Sequence, residues 1–378
     1  MKQLYFGLSI IFLSLLFGGC ASGRKALEKG NYGKAFSQAI NRLRSNEDSK
    51  KARATLSKAY KFATEAHMSS IQQAKQMKSP FMWETISSNY QQINNMYNEI
   101  LHCPACREIV PNPKRYDAEL AKANQNAAAA RYDMGMLAMT QKQNRAKAIE
   151  AHQHFKKAQQ YVPRYKDIED KLNESLYFAT LKVVVEPIPV PFKALNISHE
   201  FFVNKINEYL HNNRINEYVR FYTPEEITAE KVEFVDQIIR MEFDQFSIGN
   251  VTNTNTIKEV SKDSVLLQGK GEDAVYGTVK AKVTVHQKSI TGGGVLDFKI
   301  VSNESNAVIS QEKFPSQYTW GIQWASFNGD ERALSDADKA LVNKVELPIP
   351  NPQWMFEEFT APIYDQVIGK MRNYYRNY

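Results

Sequence analysis

KVVVEPIPV, residues 182–190, divides the chain into two textures. Its three consecutive valines read as a strand. Pro187, Pro189 and Pro191 suit an edge or an extended connection, but not a regular central strand. Upstream, from Ala26 to about Ser175, the chain is rich in Ala, Lys, Gln, Glu and Met and poor in β-branched runs. In YQQINNMYNEIL (90–101), Tyr90, Ile93, Tyr97, Ile100 and Leu101 recur at helical spacing. Breaks at Ser79–Pro80 and Pro111–Asn112–Pro113 separate long helical segments. Downstream the periods mix. HEFFVNKINEYLHNN (199–213) carries a helical stripe through Phe202, Ile206, Tyr209 and Leu210, and EYVRFYT (217–223) is strand-like. EEITAEKVEFVDQIIRMEFDQF (225–246) reads as helical over much of its length. Val279, Ala281, Val283 and Val285 alternate as one buried strand face. Leu296–Ile300 and Val308–Ile309 flank a hairpin turn at Ser302–Asn306. A final helix is expected after Pro362, with Ile363, Val367, Met371 and Tyr374 or Tyr375 on its apolar side.

Two stretches of the first half carry a more specific pattern. ALEKGNYGKAFSQAI (26–40) sets out Gly30, Tyr32 and Ala35; AIEAHQHFKKAQQYVP (148–163) sets out Ala151, Phe155, Ala158 and Pro163. Both resemble the second helix of tetratricopeptide repeats, where Gly makes a turn, Ala permits close packing, an aromatic fills the groove and Pro ends the helix. RYDMGMLAMTQ (131–141) departs from the pattern of the preceding helix, and residues 56–110 are longer than one standard repeat. The resemblance implies a divergent array of about three or four helical pairs with a concave face for a peptide or protein. Lys50, Lys51, Lys58, Arg131, Lys156 and Lys157 are candidate polar contacts there, and solvated helix faces account for the same charges. The expected fold is therefore multidomain. An all-α divergent helical-repeat domain over 26–178 is followed by an α+β domain over 179–378, with antiparallel strands and a C-terminal helix.

The start, MKQLYFGLSIIFLSLLFGGC, has a short basic n-region and an apolar run from Leu4 to Phe17. That run suits an export signal of ~7–15 apolar residues better than a membrane span of ~20. Phe17, Gly18, Gly19 and Cys20 resemble the lipobox of bacterial lipoproteins, with Phe17 a departure from the usual residue. The resemblance implies a signal peptide over 1–19, a tether over 20–25 and a covalent lipid on Cys20. Acyl chains contribute ~0.8 kcal/mol per buried methylene, so two or three anchor firmly. An ordinary secretory signal with an incidental cysteine is the alternative. Charge is uneven: Ala21–Thr180 holds 26 Lys/Arg against 15 Asp/Glu, and the chain from Leu181 onward 21 against 26. A basic segment beside an anchor suits an anionic membrane or an acidic partner; nucleic acid does not suit an exported protein.

HCPACR (102–107) gives Cys103 and Cys106 a dithiol spacing, and His102 or Arg107 would lower a thiol pKa. The preceding apolar-periodic helix places the pair at a helix end entering a Pro-rich connection, whereas thioredoxin motifs open a helix after a strand. No second cysteine pair completes a metal site. A structural disulfide in an oxidising compartment is preferred over free thiols, redox work or metal binding. In the second half, Gly292–Gly294 lack the Lys-Ser/Thr ending of a phosphate loop and read as a flexible turn before a strand. TWGIQWASFNGDERAL (319–334) places Trp320 and Trp324 before Asp330, Glu331 and Arg332. The tryptophans suit core packing or a recognition surface. Asp330 suits a turn cap or a pair with Arg332 better than acid–base hydrolysis.

The sequence thus predicts an exported lipoprotein without cofactor or metal, broadly resembling outer-membrane lipoproteins of Bacteroidota. The residues after Cys20 lack the acidic cluster associated there with surface export, which favours the periplasmic side. Its expected work is scaffolding of other envelope proteins through the helical repeats. The alternatives are a glycan or peptidoglycan module centred on Trp320 and Trp324, and an envelope hydrolase using Asp330 or Glu331.

Overall fold

A computed structural model of the chain describes residues 22–189, 197–212 and 215–378. The expected signal peptide over 1–19, Cys20 and Pro191 lie outside the described residues. Two compact units meet in sequence at Ala179 and Thr180.

The first unit is helical: α1 (Arg24–Glu28), α2 (Tyr32–Ser45), α3 (Lys50–Met77), α4 (Met82–Leu101), α5 (Pro104–Ile109), α6 (Asp117–Met139), α7 (Arg145–Tyr161) and α8 (Ile168–Ala179). Local signals set several boundaries. The Asn31 side chain accepts from the Lys34 amide at 3.2 Å, and that of Asn144 from the Ala146 amide at 3.0 Å. These side chains satisfy amide donors that a helix start leaves unpaired. Gly30, at φ +74°, makes the turn between α1 and α2 in a conformation that suits glycine. The long helices pack each on its neighbour in sequence. The contact surfaces are lined with alanine: Ala35, Ala39, Ala52, Ala59, Ala127, Ala148, Ala151 and Ala158 are fully buried. Without long side chains between them, helix axes can approach closely. Between α6 and α7 a glycine takes this further. A Cβ on Gly135 would sit 2.5 Å from the Phe155 ring, so the ring fills the space that residue 135 leaves.

Contrary to the sequence reading, Cys103 and Cys106 do not end a helix but open α5, with Cys103 at its N-cap. Pro104 explains this: its fixed φ suits the first helical turn, where its missing N–H removes no bond. A disulfide joins the two residues, whose Cα atoms are 5.1 Å apart.

The second unit combines helices with one mixed six-stranded sheet. Its elements are β1 (Leu181–Val185), α9 (Glu200–Asn212), β2 (Val219–Tyr222), α10 (Pro224–Ala229), β3 (Gln237–Ile248), β4 (Thr252–Gln268), β5 (Val275–Ser302), β6 (Val308–Gly329), α11 (Asp336–Val342) and α12 (Pro352–Tyr375). Several expectations are corrected here. β1 is an interior strand, parallel to β2 on one side and to β3 on the other. It ends at Val185, so Pro187 and Pro189 fall beyond the ladder. The sheet is accordingly mixed rather than antiparallel throughout. Residues 237–248 are a strand, not a helix: Gln237, Ile239, Met241 and Phe243 alternate inward with period two.

Gly292–Gly294 are no turn but lie inside β5. A Cβ on Gly294 would meet the Gln245 carbonyl oxygen at 2.1 Å, and one on Gly293 the Ser316 carbonyl oxygen at 3.0 Å. Close approach of β3 and β6, not flexibility, requires glycine here. Just before these residues β5 changes partner: β4 pairs with 275–289 and β3 with 292–302. β6 runs along the opposite edge, pairing with 281–301. α12 begins at Pro352, well before the expected start after Pro362, because Asn351 caps it and Pro352 occupies its first turn. Pro362 lies inside the helix.

Alternation along β5 sends its two halves into different cores. Leu296, Phe298 and Ile300 join Phe202, Phe243, Phe246, Phe356 and Phe359 in a core with α9 and α12. Val279, Ala281 and Val283, of opposite parity, pack with Ala325, Ala333 and Leu334, and with Leu341 of α11. Residues of opposite parity face opposite sides of a strand, so α12 and α11 cover opposite faces of the sheet.

Candidate binding site

On β6, Tyr318, Trp320, Ile322 and Trp324 share one parity and so one face, the face that α12 covers further along the sheet. Two features form along this row. In the first, Trp320, Leu347, Pro348, Pro350, Asn351 and Trp354 line an open cleft of about 380 Å³. Trp354 meets Tyr318 edge to face, with centroids 5.3 Å apart. The segment after α11 crosses the sheet at this point, held by an ion pair between Lys288 and Glu346. Asn351 spends its side-chain oxygen on the Trp354 amide at 2.8 Å, so the lining of the cleft is mainly apolar.

The second feature lies further along, where Trp324 stacks on His286 across the β5–β6 ladder, with centroids 5.3 Å apart and planes 18° apart. The His286 ring is held from both sides. Its Nδ1 lies 2.9 Å from Asn255 Oδ1 on β4, and its Nε2 lies 3.0 Å from Ser326 Oγ on β6. Three strands thereby build a fixed surface of indole, imidazole, amide and hydroxyl. Neither tryptophan is a core residue: both are half-buried on this face. A flat ring face beside amide and hydroxyl groups can stack on an apolar ligand face and hydrogen-bond its rim.

The carboxylates singled out in the sequence do different work. Asp330 accepts from the Arg332 amide and guanidinium at 2.9 and 2.5 Å, and Arg332 holds its carboxyl down at about 2. A general acid needs a proton near neutral pH, and Asp330 is set up to lose its own. Arg332 also donates to the Leu266 carbonyl at 2.6 Å, tying this turn to β4.

In the helical unit, Arg131 is not a free surface cation. It pairs with both oxygens of Glu84, lies 3.7 Å from the centre of the Phe81 ring, and has His154 Nδ1 3.1 Å away. Burial and the Arg131 charge push the His154 pKa down, keeping the imidazole neutral. This cluster joins α4, α6 and α7. Lys58 on α3 and Lys157 on α7 are exposed, as are Lys50 and Lys51, and Lys156 is half-buried. Cys103 and Cys106 are buried, which denies an attacking thiol or thiolate access to the disulfide. Among the described residues no group of His, Cys, Asp and Glu is arranged to hold a metal ion, and no helix is long and apolar enough to cross a membrane.

His286, Asn255, Ser326, Leu347 and Trp354 escaped the sequence reading. Parity alone groups Trp320 with Trp324, but the register that sets His286 opposite Trp324 is a property of strand pairing.

No family model and no curated protein matches the chain. Among solved structures, a Helicobacter pylori protein described as a homolog of a neuraminyllactose-binding hemagglutinin is similar at 11% identity. The match covers 51% of this chain and 84% of that one, with a TM-score of 0.21.

Proposed function

We propose that the chain is a non-enzymatic envelope lipoprotein, held by acyl chains on Cys20 at the periplasmic side of the outer membrane, where its helical unit scaffolds other envelope proteins. The supporting observation is the order of packing in that unit: each long helix rests on its sequence neighbours. Repeat-like arrays built this way leave an extended surface for a partner. Lys58 and Lys157 are exposed, whereas Arg131 pairs with Glu84 and holds helices together. Crosslinking in intact cells, followed by purification of the acylated protein, tests the reading. A reproducible envelope complex that is lost on charge reversal at Lys58 and Lys157 supports it; recovery of the chain without a crosslinked partner overturns it. Cys20→Ser tests the anchor separately, with loss of membrane association and retained export as the expected result.

A second reading, binding of a glycan such as peptidoglycan, is favoured by the Trp324–His286 stack with its Asn255 and Ser326 flanks. Co-sedimentation of the full chain with purified peptidoglycan tests it. Binding that falls on Trp324→Ala supports the reading, and absence of binding removes it.

A further inference from the structure

The helical unit begins at a basic cleft. Ser22, Arg24, Lys25 and Glu28, with Gln38 on α2 and Lys51 on α3, line a space of about 500 Å³. Three cations there face one carboxylate, and Glu28 is already spent on Arg24 at 2.8 Å. Lys25 and Lys51 are exposed and enter no ion pair among the described residues. The Ser22 hydroxyl and the Gln38 amide add neutral donors. The chain is fixed at this point. Gly23, at φ +76°, lies so close to α2 that a Cβ would meet the Ala35 carbonyl oxygen at 2.3 Å. Ala26 is buried, and its carbonyl accepts from the Asn31 amide at 2.9 Å. Three chain steps, about 11 Å at full extension, separate Gly23 from Cys20.

We propose that this cleft seats the phosphate headgroup of an anionic membrane phospholipid, holding the helical unit against the bilayer beside its own acyl anchor. The proposal rests on the acylation of Cys20 proposed above. Acyl chains must lie in hydrocarbon, which places Cys20 at the boundary of a headgroup layer about 5–8 Å thick. Gly23 cannot be more than about 11 Å from Cys20, so Arg24, Lys25 and Lys51 are brought to the depth of the phosphates. The attraction of lysine to an anionic leaflet fades within a Debye length of about 8 Å, and a long tether would forfeit it. The donors suit the ligand: two ammonium groups, a hydroxyl and an amide can meet the oxygens of a phosphodiester, whose charge offsets that of the lysines. Free phosphate has the same chemistry. The lipid is favoured because the anchor keeps headgroups at high effective concentration beside the cleft.

The test uses the purified acylated protein in vesicles of phosphatidylcholine alone, or of phosphatidylcholine and phosphatidylglycerol in equal parts. Intact mass first reports the acyl chains on Cys20. Labelling with an amine-reactive reagent, read by peptide mass spectrometry, then reports the lysines. On the mixed vesicles labelling of Lys25 and Lys51 should fall about fivefold relative to phosphatidylcholine, while Lys122 on α6 and Lys157 on α7 stay unchanged. Hydrogen exchange gives a readout without lysine chemistry. Amides of residues 22–30 should slow on the mixed vesicles in the parent protein but not in the double variant Lys25→Gln, Lys51→Gln, with far-UV circular dichroism unchanged. Acyl chains missing from Cys20 overturn the anchor and this proposal with it. With the chains present, equal labelling of Lys25 and Lys51 on the two vesicle types overturns the headgroup contact alone. So does slowed exchange that survives in the double variant. Equal protection by inorganic phosphate on phosphatidylcholine vesicles overturns the lipid as the ligand.

Discussion

Around Phe155 the helical unit reaches close packing by removing side chains; around Phe359 the sheet unit reaches it by adding rings. Gly135 and the buried alanines let helices approach until one aromatic fills the gap. In the sheet unit, Phe246 and Phe359 stack at 4.9 Å, and Phe356 meets both edge to face at 5.4 Å. The first arrangement is sensitive to added volume and the second to lost volume.

Exchanging the direction of the volume change gives the strongest test of this contrast. Phe359→Ala should lower unfolding stability by about 3–5 kcal/mol through the cavity left among the rings. Urea unfolding followed by tryptophan fluorescence reads it, since three of the four tryptophans, Trp320, Trp324 and Trp354, belong to the sheet unit. In the helical unit the damaging change is enlargement. Gly135→Val should cost about 1–3 kcal/mol by forcing the Phe155 ring aside. Adding Phe155→Leu should restore part of that loss, whereas independent sites would show additive losses. If Gly135→Val were neutral, the account of α6–α7 packing would fail.

Local constraints give smaller effects. Cys103→Ser opens a four-residue loop and should cost about 2 kcal/mol, read by thermal unfolding with and without reductant. Because unfolding exposes the disulfide, reductant present through the melt should lower the parent's midpoint and leave that of the variant unaffected. In the sheet unit, Asp338 caps α11 through Ser335 and pairs with Lys258 at 2.6 Å. Asp338→Ala should cost about 1 kcal/mol as the cap is lost. Lys258 and Ser335 hold the Asp338 carboxyl below its ordinary value, so the unfolded chain binds that proton more tightly. Its contribution is therefore complete above the unfolded pKa of about 4 and is lost as pH falls through the folded value. Asp338→Asn should flatten that part of the stability–pH profile; an unaltered acid limb would remove Asp338 from the explanation.

The same contrast governs what was legible in the sequence. Helices are written locally. Gly30–Asn31, the Ala151–Phe155–Ala158 spacing and Pro163 mark boundaries and buried faces within a few residues of where they act. The partner of Phe155 was less visible, because Gly135 contributes by having no side chain. Strand features depended on distant residues. Nothing near Gly292–Gly294 reveals that the Gln245 and Ser316 carbonyls press against them. The alternation in QIIRMEFDQFSI was available but fell within a longer stretch of helix-forming residues. Trp320 and Trp324 could be singled out within residues 319–334, whereas His286 and Asn255 come beside Trp324 through register alone.

The position of α12 in the chain has a consequence for synthesis. Phe356, Phe359, Ile363 and Val367 complete the apolar core, but they follow every strand they cover. As the chain emerges from a ribosome or an export channel, Phe243, Phe246, Leu296 and Phe298 are made long before their cover. A nascent sheet unit is thus sticky until its closing helix arrives, and a chaperone that shields aromatic strands would be needed most during that interval.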